Sequence, residues 1–249
     1  MTDDYGQYHY IRTRGWHLSS HQRLSRADGT LTDMGLTYLQ ETVVERWVPA
    51  PPEQECTQRN HTTGEYQWVV GDDEKAREAG LELPKPDTME LRVPCGDFPD
   101  GTWQRPSTGF LAALPRDPGA LLDRLRRDTE GKRGDPDLRM LEYVADALQS
   151  GLVPAELRTA LYRVLAEVPG VEVVERVPNL DGREGTAYGL SRAGRRREVF
   201  ADPDTGHYLG ERHVAEDEAQ VPAGTVTSFT AVSLPVVVDS IPPGGTSAG

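Results

Sequence analysis

Near residue 170 the spacing of apolar residues changes its period, and this change constrains the fold more than any other feature of the chain. Over residues 117–170, leucines and valines recur every three or four positions, and beyond that point apolar and polar residues alternate. A 3.6-residue period puts one apolar stripe on a helix, and a two-residue period puts one apolar face on a strand. The chain therefore has helices that must bury a stripe beside a sheet that must bury a face.

Three helix starts and stops can be read directly. Asp117-Pro118 supplies an N-cap and a proline at the first helical position, followed by Leu121, Leu122 and Leu125. Asp135-Pro136 repeats the signal before Leu138, Leu141, Val144 and Leu148, and Gly151 closes that run. The third begins at Pro154, carries Leu157, Leu161, Val164, Leu165 and Val168, and stops at Pro169-Gly170. Strands are then expected over residues 171–177, 185–190, 197–201 and 208–214, with one long strand over 225–238. Asp181-Gly182, Ala193-Gly194 and Asp202-Pro203-Asp204-Thr205-Gly206 are the turns between them, and such short links imply an antiparallel meander.

The first half reads mainly as strands. Residues 8–14 alternate and are expected to pair with a longer strand over 36–48, and residues 65–70 form a third strand ending at Gly71. The polar stretch 16–33, with its Asp28-Gly29 turn signal, is either a hairpin excursion or a loop. Residues 72–80 have helical composition, and Pro84 and Pro86 stop them. Residues 1–240 are expected to form a single α+β domain, and the Pro-Gly-rich residues 241–249 a disordered tail.

A net charge of −13 argues against a nucleic-acid partner, which needs clustered Lys and Arg to neutralise phosphates. The runs Arg124, Arg126, Arg127 and Arg195, Arg196, Arg197 are flanked by acids and read as solvated faces. No stretch has the roughly 20 apolar residues of a membrane-spanning helix, and the first residues lack a signal-peptide pattern. The chain reads as soluble, equally compatible with an ectodomain whose anchor has been removed.

No residue set points to a reaction. His17 and His21 have the i,i+4 spacing of helical metal ligands but no acid or cysteine at a companion spacing, and are expected to be exposed loop histidines. Residues 202–206 begin like a calcium loop, but its fifth position is Gly206 and its twelfth His213, so a plain turn is expected. Asn60-His61-Thr62 is a sequon expected in a polar loop. Nucleophile elbows, phosphate-binding loops and dinucleotide fingerprints are absent. No catalytic residue, cofactor or metal site is therefore assigned, and the enzymatic alternative is a hydrolase assembled from distant residues.

Cys56 and Cys95, in polar or Pro-rich surroundings, are either a disulfide joining two loops or two free thiols. Tyr8, Tyr10, Trp47, Tyr66, Trp68 and Phe229 lie on expected strands. They serve either as core or as the lining of an apolar cavity between sheet and helices.

Residues 157–171, 185–190 and 198–211, with Pro115-Arg116-Asp117-Pro118-Gly119-Ala120-Leu121-Leu122 and the Tyr8-Tyr10 strand, resemble an actinobacterial family of conserved hypothetical ectodomains. Members of that family carry an N-terminal transmembrane helix, lacking here, and some are associated with extracytoplasmic-function sigma factors. More distantly, a strand, an Asp-Pro-x-Thr-Gly turn and a returning strand are similar to the LolA, LppX and RseB lipoprotein carriers and sensors. The resemblance implies a curved antiparallel half-barrel packed on about three short helices. It also implies a non-enzymatic extracytoplasmic domain that binds a hydrophobic ligand, a lipoprotein or an envelope protein, as the sensor part of a membrane-anchored regulator. A structural interaction module is the other reading.

Overall fold

The computed structural model describes residues 8–25, 31–49, 55–94, 101–217 and 221–243. Three long strands come first: β1 (Tyr8–Ser25), β2 (Leu31–Pro49) and β3 (Glu55–Val70). Helix α1 (Asp73–Ala79) leads to β4 (Asp87–Pro94). Four helices follow: α2 (Thr108–Ala113), α3 (Pro118–Thr129), α4 (Pro136–Gln149) and α5 (Ala155–Glu167). The chain then runs through β5 (Glu172–Pro178), β6 (Glu184–Arg192), β7 (Arg195–Ala201), β8 (Tyr208–Ala215), β9 (Val226–Val232) and β10 (Val236–Val238).

All ten strands belong to one open antiparallel sheet in the order β4-β3-β2-β1-β9-β8-β7-β6-β5, with β10 also paired to β1. The meander after residue 170 is present, and its last strands join it to the N-terminal strands. Thr13 lies opposite Val232 and Trp16 opposite Phe229, then β10 continues along β1 from Tyr10–Val236 to Tyr8–Val238. The expected long strand over 225–238 is therefore two strands, interrupted at Ser233, Leu234 and Pro235; proline has no amide hydrogen for the ladder.

The capping residues do what their types suggest. Asp117 Oδ2 accepts the Ala120 amide at 2.9 Å, and Asp135 Oδ1 accepts the Leu138 amide at 3.0 Å. Leu121, Leu125, Leu141, Val144, Leu157, Leu161 and Leu165 are fully buried among α3, α4 and α5. The stripe of α4 rests on β6, β7 and β8, where Leu190, Val199, Ala201 and Tyr208 complete the core. After α4 the chain turns at Gly151 (φ 73°), where a Cβ would collide with the Ile11 side chain, so glycine is required both for the backbone and for the approach to β1. On the opposite face a smaller cluster joins Ala187, Phe200 and Leu209 to Phe229, Val177 and Leu234.

For residues 16–33 the hairpin reading fits, since β1 and β2 pair from Tyr8–Pro49 to Ser25–Leu31; the Asp28-Gly29 turn lies outside the described residues. His17 and His21 are thus strand residues rather than loop histidines. Elsewhere the first half departs from expectation. Asn60, His61 and Thr62 belong to β3, opposite Val44, Val43 and Thr42 on one side and Met89, Thr88 and Asp87 on the other. Cross-strand partners on both sides hold this polar stretch extended, despite composition that suggests a loop. The region 72–80 does form α1, and α2 and β4 add elements that short or weakly periodic segments did not announce. Of the expected disordered tail, residues 241–243 are described, and residues 244–249 lie outside the described residues.

Candidate functional site

Helices α3, α4 and α5 pack over the meander, and the β1–β4 wing continues beyond them. Two cavities of about 230 Å³ each lie where the C-terminal end of α4 meets this wing. One is lined by Arg46, Val48, Cys56, Val93, Asp146 and Leu152, the other by Thr13, His17, Val44, Arg46, Gln58 and Thr230. Arg46 and Gln149 belong to both linings. The strand register explains this, because Arg46 stands opposite Ile11 on one side and Gln58 on the other, pointing from the same face as Val44 and Val48.

Burial lowers the pKa of Arg46, as it does that of Arg158, and among the described residues the Arg46 side-chain hydrogen bond, Nη2 to Gln58 Oε1 at 3.1 Å, goes to a neutral amide. Gln58 is itself oriented by donating from Nε2 to Asn60 Oδ1 at 2.9 Å. Asp146, on the wall of the same cavity, has its carboxyl pushed up to about 6, first by burial and then by Glu211 and Glu142, against the opposing pull of Arg197 and Arg139.

The adjoining region under α4 shows the usual solution for a buried guanidinium. Arg197 donates to Glu211 Oε2 at 2.7 Å and stands 3.7 Å from Glu142 Oε1, while Arg139 holds Glu142 Oε2 at 2.7 Å. Burial alone would raise the Glu211 carboxyl, but the His213 imidazole at 3.4 Å and Arg197 hold it down at about 2. His17 Nδ1 and Ser228 Oγ are 3.2 Å apart across β1 and β9, and burial lowers the His17 pKa. Among the described residues no carboxylate lies within ion-pair distance of His17, so this Ser-His pair lacks the orienting acid of a nucleophilic relay. His61 has both ring nitrogens occupied, Nε2 by Glu45 Oε2 and Nδ1 by Thr88 Oγ1, each at 2.9 Å.

The aromatics singled out from the sequence are placed elsewhere, and none lines either cavity. Tyr10 and Trp47 pair at 5.2 Å between ring centroids, with the Tyr10 hydroxyl donating to Glu45. Arg59 lies over Trp47, ion-pairs with Glu90 and donates to the Pro242 carbonyl. Tyr66 and Trp68 cluster with Tyr38, and both donate to Asp73 of α1. Phe229 packs on Phe200 across the other face, and Tyr8 pairs with Pro49 and Val238. Cys56 is buried and disulfide-bonded, whereas Cys95 lies outside the described residues.

The 202–206 turn is built around Asp202. Its Oδ1 accepts from the Asp204 and Thr205 amides and the Thr205 hydroxyl, and its Oδ2 from Arg183 at 2.6 Å. Among the described residues no group of three His, Cys, Asp or Glu side chains could hold a metal, and no helix is long and apolar enough to cross a membrane. Sequence reasoning missed Arg46, which sits in an alternating strand with nothing local to mark it; the signal is the lack of an acid opposite it, visible only once register is known. No family model matches the chain, and no curated protein matches it either.

Proposed function

We propose that the chain is a non-enzymatic, extracytoplasmic binding domain of the LolA-like half-barrel kind, which takes a small amphiphilic ligand between the β1–β4 wing and the end of α4. The observation that supports it is the pair of cavities sharing Arg46 and Gln149, next to the helix-covered core. Their lining mixes Val44, Val48, Val93 and Leu152 with Arg46, Gln58 and Gln149, which suits a ligand with an apolar body and a polar head better than a bare acyl chain. An open sheet with helices on one face is compatible with the half-barrel architecture, and the disulfide-bonded Cys56 suits an oxidising compartment. On this reading the domain is the sensing part of a membrane-anchored regulator, with ligand occupancy passed to an envelope partner.

The test is extraction of purified protein into organic solvent with mass spectrometry, alongside displacement of a fluorescent fatty-acid analogue. A bound or displaceable amphiphile at micromolar protein is expected, and none would overturn the reading. Thiol titration after denaturation, in protein made under oxidising conditions, is expected to find no free thiol; two would count against the extracytoplasmic assignment.

A further inference from the structure

We infer that the cavity pair selects an anionic head group, and that its ligand is a small amphiphilic monocarboxylate anchored on the Arg46 guanidinium. This rests on the binding reading above and adds the charge and shape of the head group.

Taking a cation out of water is costly unless a counter-charge replaces the lost hydration, so buried guanidiniums are ordinarily paired. Two others in this chain obey that rule: Arg59 meets Glu90 at 2.6 Å and Arg197 meets Glu211 at 2.7 Å. Arg46 is half-buried, and its described partner is the uncharged Gln58. It borders two cavities, and a guanidinium presents paired N–H donors that match the two oxygens of a carboxylate. Among the described residues no carboxylate is paired with Arg46, and the head group of the ligand supplies the counter-charge at the position where the two spaces share a wall.

Two further features narrow the head group. Arg105 and Asp146 line one of the two cavities together with Arg46, so two guanidiniums and one carboxyl border it, a balance that favours one negative charge over two. Gln58 and Gln149 lie beside Arg46 with side-chain amides able to donate to an oxygen the guanidinium leaves uncovered. The apolar body has Val48, Val93 and Leu152 on one side of Arg46 and Val44 with Ile11 on the other.

Calorimetric titration with octanoate, octan-1-ol and octyl phosphate tests this directly, because the three share one apolar chain and differ in the head. Wild-type protein is expected to bind octanoate at least tenfold more tightly than octan-1-ol, and more tightly than octyl phosphate. Arg46→Met is expected to bring the octanoate and octan-1-ol affinities together, and Arg46→Lys to keep only part of the preference. Equal binding of octanoate and octan-1-ol by the wild type overturns the inference and leaves the binding reading standing. Preferred binding of octyl phosphate overturns the monocarboxylate assignment, and no binding of any of the three overturns both. The wild-type comparison decides the matter even if Arg46→Met fails to fold.

Discussion

Two arginines of the sheet, Arg197 in the meander and Arg46 in the wing, are partnered in opposite ways. Beneath α4, Arg197 is paired with Glu211 and Glu142 at the wall of a cavity of about 260 Å³. In the wing, Arg46 has an amide for a partner and cavities on either side. The first arrangement pairs a guanidinium with carboxylates of the chain itself; the second is the site proposed to take its counter-charge from a ligand. On the proposed function, the contrast separates a half that holds the fold from a half that recognises.

The contrast breaks first, if it breaks at all, on paired substitutions. Arg197→Met leaves the buried Glu211 carboxylate uncompensated and is expected to cost about 3–5 kcal/mol in urea unfolding. Arg46→Met is expected to change stability by less than about 1 kcal/mol, because the described partner it loses is the neutral Gln58 amide and a desolvated charge is removed. Equal losses in the two variants would mean that Arg46 has a structural role like that of Arg197. Leu161→Ala, in the fully buried stripe of α5, is expected to cost about 2–5 kcal/mol, against less than about 1 kcal/mol for Val44→Ala in the wing.

Asp146 and Glu211 give opposite pH signatures. With its carboxyl held up at about 6, the folded state keeps a proton on Asp146 that the unfolded chain releases, so this contribution is full below about pH 4 and lost as pH rises through 6. Glu211, held at about 2, contributes above its ordinary range and is lost as pH falls toward 2. Asp146→Asn is expected to flatten the fall between pH 4 and 6, on the order of 1–2 kcal/mol, while keeping the acid limb. Chemical denaturation across pH 2–8 checks both signs. The smallest effect expected is for Asp117→Ala, about 1 kcal/mol from loss of the α3 cap, read as a lower thermal midpoint.

Where local rules acted alone, the structure was legible in the sequence. Asp-Pro starts, glycine stops and the change of period gave α3, α4, α5 and the meander, because caps and stripes are encoded within a few residues. The wing was harder to read. Strand residues such as His17, Asn60 and Thr62 are polar, and what keeps them extended is pairing with distant strands, which composition does not report. The site was least legible of all. Tyr10, Trp47, Tyr66, Trp68 and Phe229 drew attention as aromatics on strands, but hydrogen bonds to Glu45 and Asp73 and packing on Arg59 and Phe200 occupy them. Nothing in the residues around Arg46 marks it, because what matters is what stands across from it on β1 and β3.

Hydrogen–deuterium exchange with and without octanoate tests the division most directly. The account predicts added protection in the amides of residues 43–49 and 56–60 and at the end of α4, with β6 to β8 unchanged. Protection confined to β6 to β8, or none under saturating ligand, would contradict it.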